Sequence, residues 1–278
     1  MNFAQKLHRA ASSNRSLVCI GLDPDLRLMP NVSVFEFNRA IIDATSDLVC
    51  AYKPNLAFYE VLGVEGLDIL QKTVEHIPEV IPVIGDAKRG DIGNTAQAYA
   101  KALFETFGFD AATVNPYLGY DSVEPFMKYA DKGVFILCRT TNPGALDFQA
   151  LTCLPETSAS EQRPGTSPLF HLVAQKAKGW NLYGNVGLVV GATYPEELRQ
   201  IRQLCPEMVL LIPGIGAQRG NLEAAVRYGV DVNGERAIFS SSRQILYASE
   251  GRDFAQAARR AAQKLRDEVN SLLVSLPS

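Results

Sequence analysis

The sequence predicts one α/β domain, residues 1–278, folded as a (β/α)8 barrel. Three observations carry this. Eight short apolar runs alternate with eight amphipathic stretches. The runs are near-continuous in Val, Ile, Leu and Ala, as strands buried on both faces are. The length of 278 residues suits a single barrel of about 250 residues. A doubly wound open sheet is the competing fold. It calls for a glycine-rich turn after the first strand, and Gly21-Leu22-Asp23-Pro24 lacks the G-x-G-x-x-G spacing.

An N-terminal helix is expected before the barrel. The first strand is predicted over 17–23 and its helix over 35–49, with apolar residues at 37, 41, 44 and 48. Strand 51–57 feeds helix 63–76. Strand 80–88 feeds helix 94–107, where Asn94 and Gln97 have capping-box spacing. Strand 111–117 precedes helix 122–130. Strand 133–139 runs into a long loop, about 140–167, that carries Asn142-Pro143-Gly144, Pro155 and Pro164-Gly165; connections of that length often carry function. Helix 168–178 follows. Strand 187–193 with helix 195–204, strand 208–216 with helix 221–228, and strand 237–241 with helix 253–273 complete the series. Pro168 and Pro195 suit first-turn positions.

Lys and Arg number 27 against 30 Asp and Glu, a balance that argues against non-specific nucleic-acid binding. The cysteines, Cys19, Cys50, Cys138, Cys153 and Cys205, are odd in number and form no C-x-x-C pair, so neither a disulfide framework nor a thiolate metal site is expected. His8, His76 and His171 stand apart. No apolar run approaches the roughly 20 residues of a membrane-spanning helix, and the N-terminus lacks a signal-peptide core. A cytoplasmic protein with no membrane or nucleic-acid partner is the expectation.

Barrel enzymes work at the C-terminal ends of their strands, so polar residues there carry the functional reading. Asp86 and Lys88, two apart, share one face of a strand. Either alone is costly to bury; together they can pair. A carboxylate within about 4–6 Å keeps a lysine protonated, which suits a proton donor better than a Schiff-base nucleophile. Lys53, on the preceding strand, extends the pair into an alternating array; a structural salt bridge is the simpler alternative. Asp91 either caps the next helix or joins the array. Pro213-Gly214-Ile215-Gly216-Ala217-Gln218 has the glycines of an anion-binding turn, and Arg243, at the next strand end, can hold a phosphate in bidentate fashion. Two ordinary βα turns would look the same.

Taken together, Asp86-Ala-Lys88-Arg-Gly-Asp91-Ile-Gly-Asn-Thr95 resembles the D-x-K-x-x-D-I-x-x-T signature of the orotidine 5′-phosphate decarboxylases. Gly-Leu-Asp23-Pro-Asp, Ala-Tyr-Lys53-Pro-Asn, Thr141-Asn-Pro-Gly-Ala, Val-Gly-Ala-Thr193, Pro-Gly-Ile-Gly-Ala-Gln218 and Ser-Ser-Arg243 follow in that family's order along nearly the whole chain. The length, the Lys53-Pro54-Asn55 strand and the long loop after the fifth strand are similar to the family's longer bacterial branch. D-x-K-x-x-D alone is shared with related phosphosugar barrels; the full ordered set is far more specific.

The resemblance implies cofactor-independent, metal-free decarboxylation of orotidine 5′-monophosphate to uridine 5′-monophosphate. Lys88 would protonate the carbon that loses CO₂, and Asp86 would sit beside the substrate carboxylate. Lys53 and Asp91 would complete the array, with Asp91 and Thr95 reaching into the neighbouring subunit of a homodimer. Asp23 and Lys53 would meet ribose hydroxyls, Thr141 the pyrimidine edge, and Gln218 and Arg243 the phosphate. Gly214, Gly216 and Gly220 make that loop a lid candidate. Thr141 stands where shorter members have serine, and Ser242 where glycine is common. Two alternatives stay open. One is a metal-dependent sugar-phosphate lyase or decarboxylase of the same superfamily, in which a metal-binding glutamate takes the place of Lys53. The other is a non-catalytic nucleotide-phosphate sensor.

Overall fold

The structure is a computed structural model and describes residues 1–154, 166–215 and 221–276. The described residues form a nearly closed barrel of parallel strands: β1 (Val18–Leu22), β2 (Ala51–Pro54), β3 (Ile84–Arg89), β4 (Ala111–Val114), β5 (Gly133–Arg139), β6 (Val186–Val190), β7 (Leu210–Pro213) and β8 (Ala237–Ser241). The ladder runs β2-β1-β8-β7-β6-β5-β4-β3. Its two edges meet through single bridges, Tyr52 to Val83 and Asn55 to Asp86. The open-sheet alternative is thereby excluded.

Helices fill the connections as the amphipathic pattern predicts, and Gly63–His76 and Pro195–Leu204 keep the expected bounds. The helix after β3 departs from expectation. It starts at Gly93, its N-cap is Ile92 with no side-chain cap, and the Asn94–Gln97 capping box does not form. The helix begins one residue before Asn94, at Gly93 with φ +56°, so Asn94 lies inside the first turn and not at the N-cap position a capping box needs. After Lys101 the helix continues as a π turn, Ala102–Thr106. Pro195 occupies the first turn of its helix, whereas Pro168 is the residue before Leu169–Trp180.

Two apolar layers hold the barrel. The larger lies between strands and helices, where Phe37, Ile41, Phe109, Phe126, Leu188, Ile212 and Phe239 are fully buried. The smaller fills the interior, with Cys19, Ala51, Ile84, Ala111, Phe135, Val189, Leu211 and Ile238 facing one another. The N-terminal helix, Phe3–Asn14, closes the bottom. Its Phe3 and Leu7 join the interior cluster, and the Phe3 ring meets Phe135 edge-on at 5.7 Å. This plug determines where a site can be. With the lower interior packed, the inward positions one pleat higher open only at the C-terminal mouth: Lys53 above Ala51, Asp86 above Ile84 and Thr113 above Ala111.

Candidate active site

Asp86 stands at the centre of the mouth, 8% exposed. Its Oδ2 accepts from Lys53 Nζ at 2.7 Å and its Oδ1 from Lys88 Nζ at 2.6 Å. Oδ1 also accepts from the Thr113 hydroxyl at 2.9 Å. Burial raises the cost of the Asp86 charge, yet the two ammonium groups outweigh it and hold the carboxyl well below the usual range. Burial likewise works against charge on Lys53, which is 6% exposed. Asp86 and Asp23 overcome that and raise its pKa. Asp86 and Lys53 therefore form an ionised pair.

Lys88 is the exposed end of the array. Its side chain is about half exposed while its neighbours are buried. The β3–β4 register slips between Gly85 and Arg89, and Lys88 takes φ +48°. A left-handed lysine costs of order 1–3 kcal/mol and persists only where surroundings enforce it. The enforcing contact is Thr113, whose hydroxyl oxygen accepts the Lys88 N–H at 3.0 Å while its proton goes to Asp86. Thr113 is 1% exposed and was not among the residues singled out from sequence. Its signal was one hydroxyl at an inward position of an otherwise apolar strand.

These groups line a cavity of about 420 Å³ together with Leu137, Thr140, Thr141, Gln149 and Pro213. Thr141 is thus brought to the same cavity as Lys53, Asp86 and Lys88. Asp23, just past β1, has a buried Oδ1 with no hydrogen-bond partner among the described residues. Tyr247, also missed from sequence, fixes this loop: its hydroxyl donates to Asp23 O at 2.7 Å and accepts from Asp25 N–H at 2.6 Å. Burial pushes that phenol up to about 12.

Arg243 opens the short helix Arg243–Leu246 after β8 and is exposed. Among the described residues it has no carboxylate partner within ion-pair distance. The preceding Ser242 hydroxyl occupies the space a side chain on Gly21 would need, 2.0 Å from that Cβ position, so β1 and β8 approach closely at the mouth. Gln218, Gly216 and Gly220 lie outside the described residues.

Asp91 does not join the array of its own chain. Among the described residues its Oδ1 accepts only the N–H of Ile92, at 2.8 Å, and it does not cap the helix. Thr95 is exposed on the first turn of that helix. Around them Ile92, Tyr117 and Leu118 expose large apolar surface. Arg89, between Lys88 and Asp91, turns away to pair with Glu60 and lies 5.3 Å from the Tyr99 ring. Among the described residues no cluster of three or more His, Cys, Asp and Glu is arranged to hold a metal.

A family model described as Orotidine 5′-phosphate decarboxylase / HUMPS family matches residues 16–261. A Dehalococcoides mccartyi protein named orotidine 5′-phosphate decarboxylase is 53% identical over 271 residues, covering 97% of this chain and 98% of its own. The solved structure of Leishmania donovani OMP decarboxylase superposes with a TM-score of 0.85 at 38% identity, covering 99% of this chain and all of its own. Leishmania donovani UMP synthase superposes at 0.88 with 39% identity; this chain spans 58% of that longer protein.

Proposed function

The chain belongs to the orotidine 5′-phosphate decarboxylase / HUMPS family, and from that premise we propose that it converts orotidine 5′-monophosphate to uridine 5′-monophosphate in pyrimidine biosynthesis. The observation that carries the mechanism is the Asp86 carboxylate held between Lys53 and Lys88 at the floor of the mouth cavity. Loss of CO₂ breaks the bond from the ring carbon to the carboxylate and leaves the electron pair in the ring plane, with no adjacent carbonyl to delocalise it. The Lys88 ammonium meets that developing charge as a preorganised cation and then gives its proton to the carbon. Solvent reprotonates the neutral amine. Asp86 holds the Lys88 ammonium in place by their hydrogen bond and stands beside the departing carboxylate.

The remaining residues bind and orient. The unpartnered Asp23 Oδ1 suits a ribose hydroxyl, with Lys53 beside it. Thr141 takes the pyrimidine edge. Arg243, exposed and unpaired among the described residues, takes the phosphate with Gln218. Binding energy at the phosphate, remote from the reacting carbon, is available to close the mouth. Asp91 and Thr95 serve the neighbouring subunit of a homodimer. The exposure of Thr95, and the exposed apolar side chains of Ile92, Tyr117 and Leu118, support a second copy seated there. We assign the reaction to the cytoplasm. Among the described residues no helix is long and apolar enough to cross a membrane.

The metal-dependent alternative is disfavoured by Lys53: its ammonium already lies 2.7 Å from Asp86, where it would repel a divalent cation. Incubation with orotidine 5′-monophosphate, followed by the orotate-ring absorbance with and without EDTA, tests the reading. Loss of the absorbance, unchanged by EDTA, is expected. Nucleotide binding with no absorbance change would instead establish the sensor.

A further inference from the structure

Of the long loop after β5, only Thr141 has a part in the chemistry above, yet Gln149, eight residues further on, lines the same cavity. The loop leaves Thr141 through a 3₁₀ turn, Pro143–Asp147, and returns through a small antiparallel ribbon, Thr152–Cys153 with Ser167–Pro168. Between them, Gln149 is fixed by its backbone on both sides. Its N–H donates to Ala145 O at 2.9 Å, and its carbonyl accepts from Phe170 N–H at 2.9 Å. Its carboxamide then turns inward on Thr140. Gln149 Oε1 accepts the Thr140 N–H at 2.8 Å, and Gln149 Nε2 donates to Thr140 Oγ1 at 2.9 Å.

This pairing has a direction. A backbone N–H can only donate, so it must face the amide oxygen, and the amide NH₂ must then face the hydroxyl. With a donor already on its oxygen, the Thr140 hydroxyl sends its own proton to Asn142 Oδ1 at 2.6 Å. On the other flank, Arg139 donates to Thr140 O at 3.3 Å. The Thr141 methyl fills the space beside Gly191, 2.4 Å from where a Cβ would stand. Backbone held at 140 and methyl seated at 141 leave the Thr141 hydroxyl little freedom. Thr140, Thr141, Asn142 and Gln149 line the same cavity as Lys53, Asp86 and Lys88.

We propose that Gln149 is a positioning residue for recognition of the pyrimidine ring, and that the long loop serves to deliver it: through Thr140 it sets the turn that presents Thr141 to the base edge. The proposal rests on the decarboxylase reading for the identity of the base. It is tested by binding, so that it does not depend on turnover. Affinities of uridine 5′-monophosphate and ribose 5-phosphate are measured for the full-length protein and for Gln149→Met, which keeps the side-chain length and removes both hydrogen bonds. Gln149→Met should weaken the nucleotide about tenfold, the scale of one or two lost hydrogen bonds, and leave ribose 5-phosphate within about twofold. Gln149→Glu keeps the acceptor for the Thr140 N–H and should lose less, which also covers a Met variant that folds poorly. In a double-mutant cycle, Thr141→Ala should add little to Gln149→Met, because the two act in series. Equal losses for both ligands, or additive effects of the two substitutions, would overturn the proposal. Wild-type protein that binds the nucleotide but leaves orotidine 5′-monophosphate unchanged would refute the decarboxylase reading while the binding comparison still decides the role of Gln149.

Discussion

Replacing Thr113 by Val removes one oxygen from the array and almost nothing else, since the two side chains have nearly the same shape. The hydroxyl makes two contacts, accepting from Lys88 N–H at 3.0 Å and donating to Asp86 Oδ1 at 2.9 Å. A hydrogen bond to a charged group contributes about 1.5–3 kcal/mol and a neutral one about 0.5–1.5, so Thr113→Val should cost roughly 2–4 kcal/mol of stability. At about 2 °C per kcal/mol for a chain of this size, the melting midpoint should fall by roughly 4–8 °C. The catalytic effect comes through Lys88. Its left-handed backbone is enforced by this contact, and relaxation toward ordinary φ moves the ammonium off the reacting carbon. If half of the lost energy is expressed in the transition state, kcat should fall about 5- to 30-fold at roughly 1.4 kcal/mol per tenfold. KM should change less, because Thr113 touches no binding group assigned here. The assay is steady-state decay of the orotate-ring absorbance, paired with thermal unfolding. Thr113→Ser should recover most of both quantities. A Thr113→Val protein with wild-type kcat and wild-type melting would refute the claim that Thr113 holds Lys88 in place.

Other predictions follow from the same geometry. Lys88→Ala should lower kcat by more than about a thousandfold, beyond the loss of a single oxyanion donor, while nucleotide binding suffers less; near-normal turnover would remove Lys88 from the chemistry. Arg243→Ala should reduce kcat/KM for the nucleotide at least about a hundredfold through loss of charge-assisted contacts and leave phosphate-free orotidine nearly unaffected; equal losses would make Arg243 structural. Refolding an equal mixture of Lys88→Ala and Asp91→Asn chains should restore activity to about a quarter of the sites if the dimer closes by a two-fold with shared sites; no recovery would return Asp91 to its own chain. Asp86 is depressed below its ordinary value, so its stabilisation is present above about pH 4 and fades as pH falls through the lower folded-state value. Lys53 is raised, so its contribution holds up to about pH 10.5 and fades as pH rises through the higher folded-state value. Thermal stability should therefore show no titration of this pair between pH 5 and 9; a midpoint in that window that disappears in Asp86→Asn would contradict the assigned ionisation.

Strand existence and type were legible because burial on both faces demands unbroken apolar runs, a local property of the chain. The bounds of β5 and β8 agree with the expected 133–139 and 237–241. The strand expected over 80–88 is shorter at its start, beginning at Ile84: Val80 is exposed, and Ile81 and Val83 are buried ahead of the continuous ladder, with one isolated bridge at Val83. The capping box at Asn94 also failed. Spacing alone does not fix the helix start, which falls at Gly93 and puts Asn94 inside the first turn.

Asp86, Lys88 and Lys53 could be picked out before any fold was known because charged residues at apolar strand ends are costly unless they pair, and that cost is visible in the sequence. The resemblance in family order then supplied the expected roles of Asp23, Asp91, Thr95, Thr141, Gln218 and Arg243, which remain proposals. What the tertiary structure alone decided is how these charges are held. Thr113 and Gln149 carry no charge and break no pattern, and their importance comes entirely from what stands opposite them: a β3–β4 register slip for one, a returning loop for the other. The separation of Asp91 from Asp86, five residues on, is likewise a matter of chain direction past the strand end. Sequence records which groups are too costly to leave unpaired; only the closed barrel determines which partner each one meets.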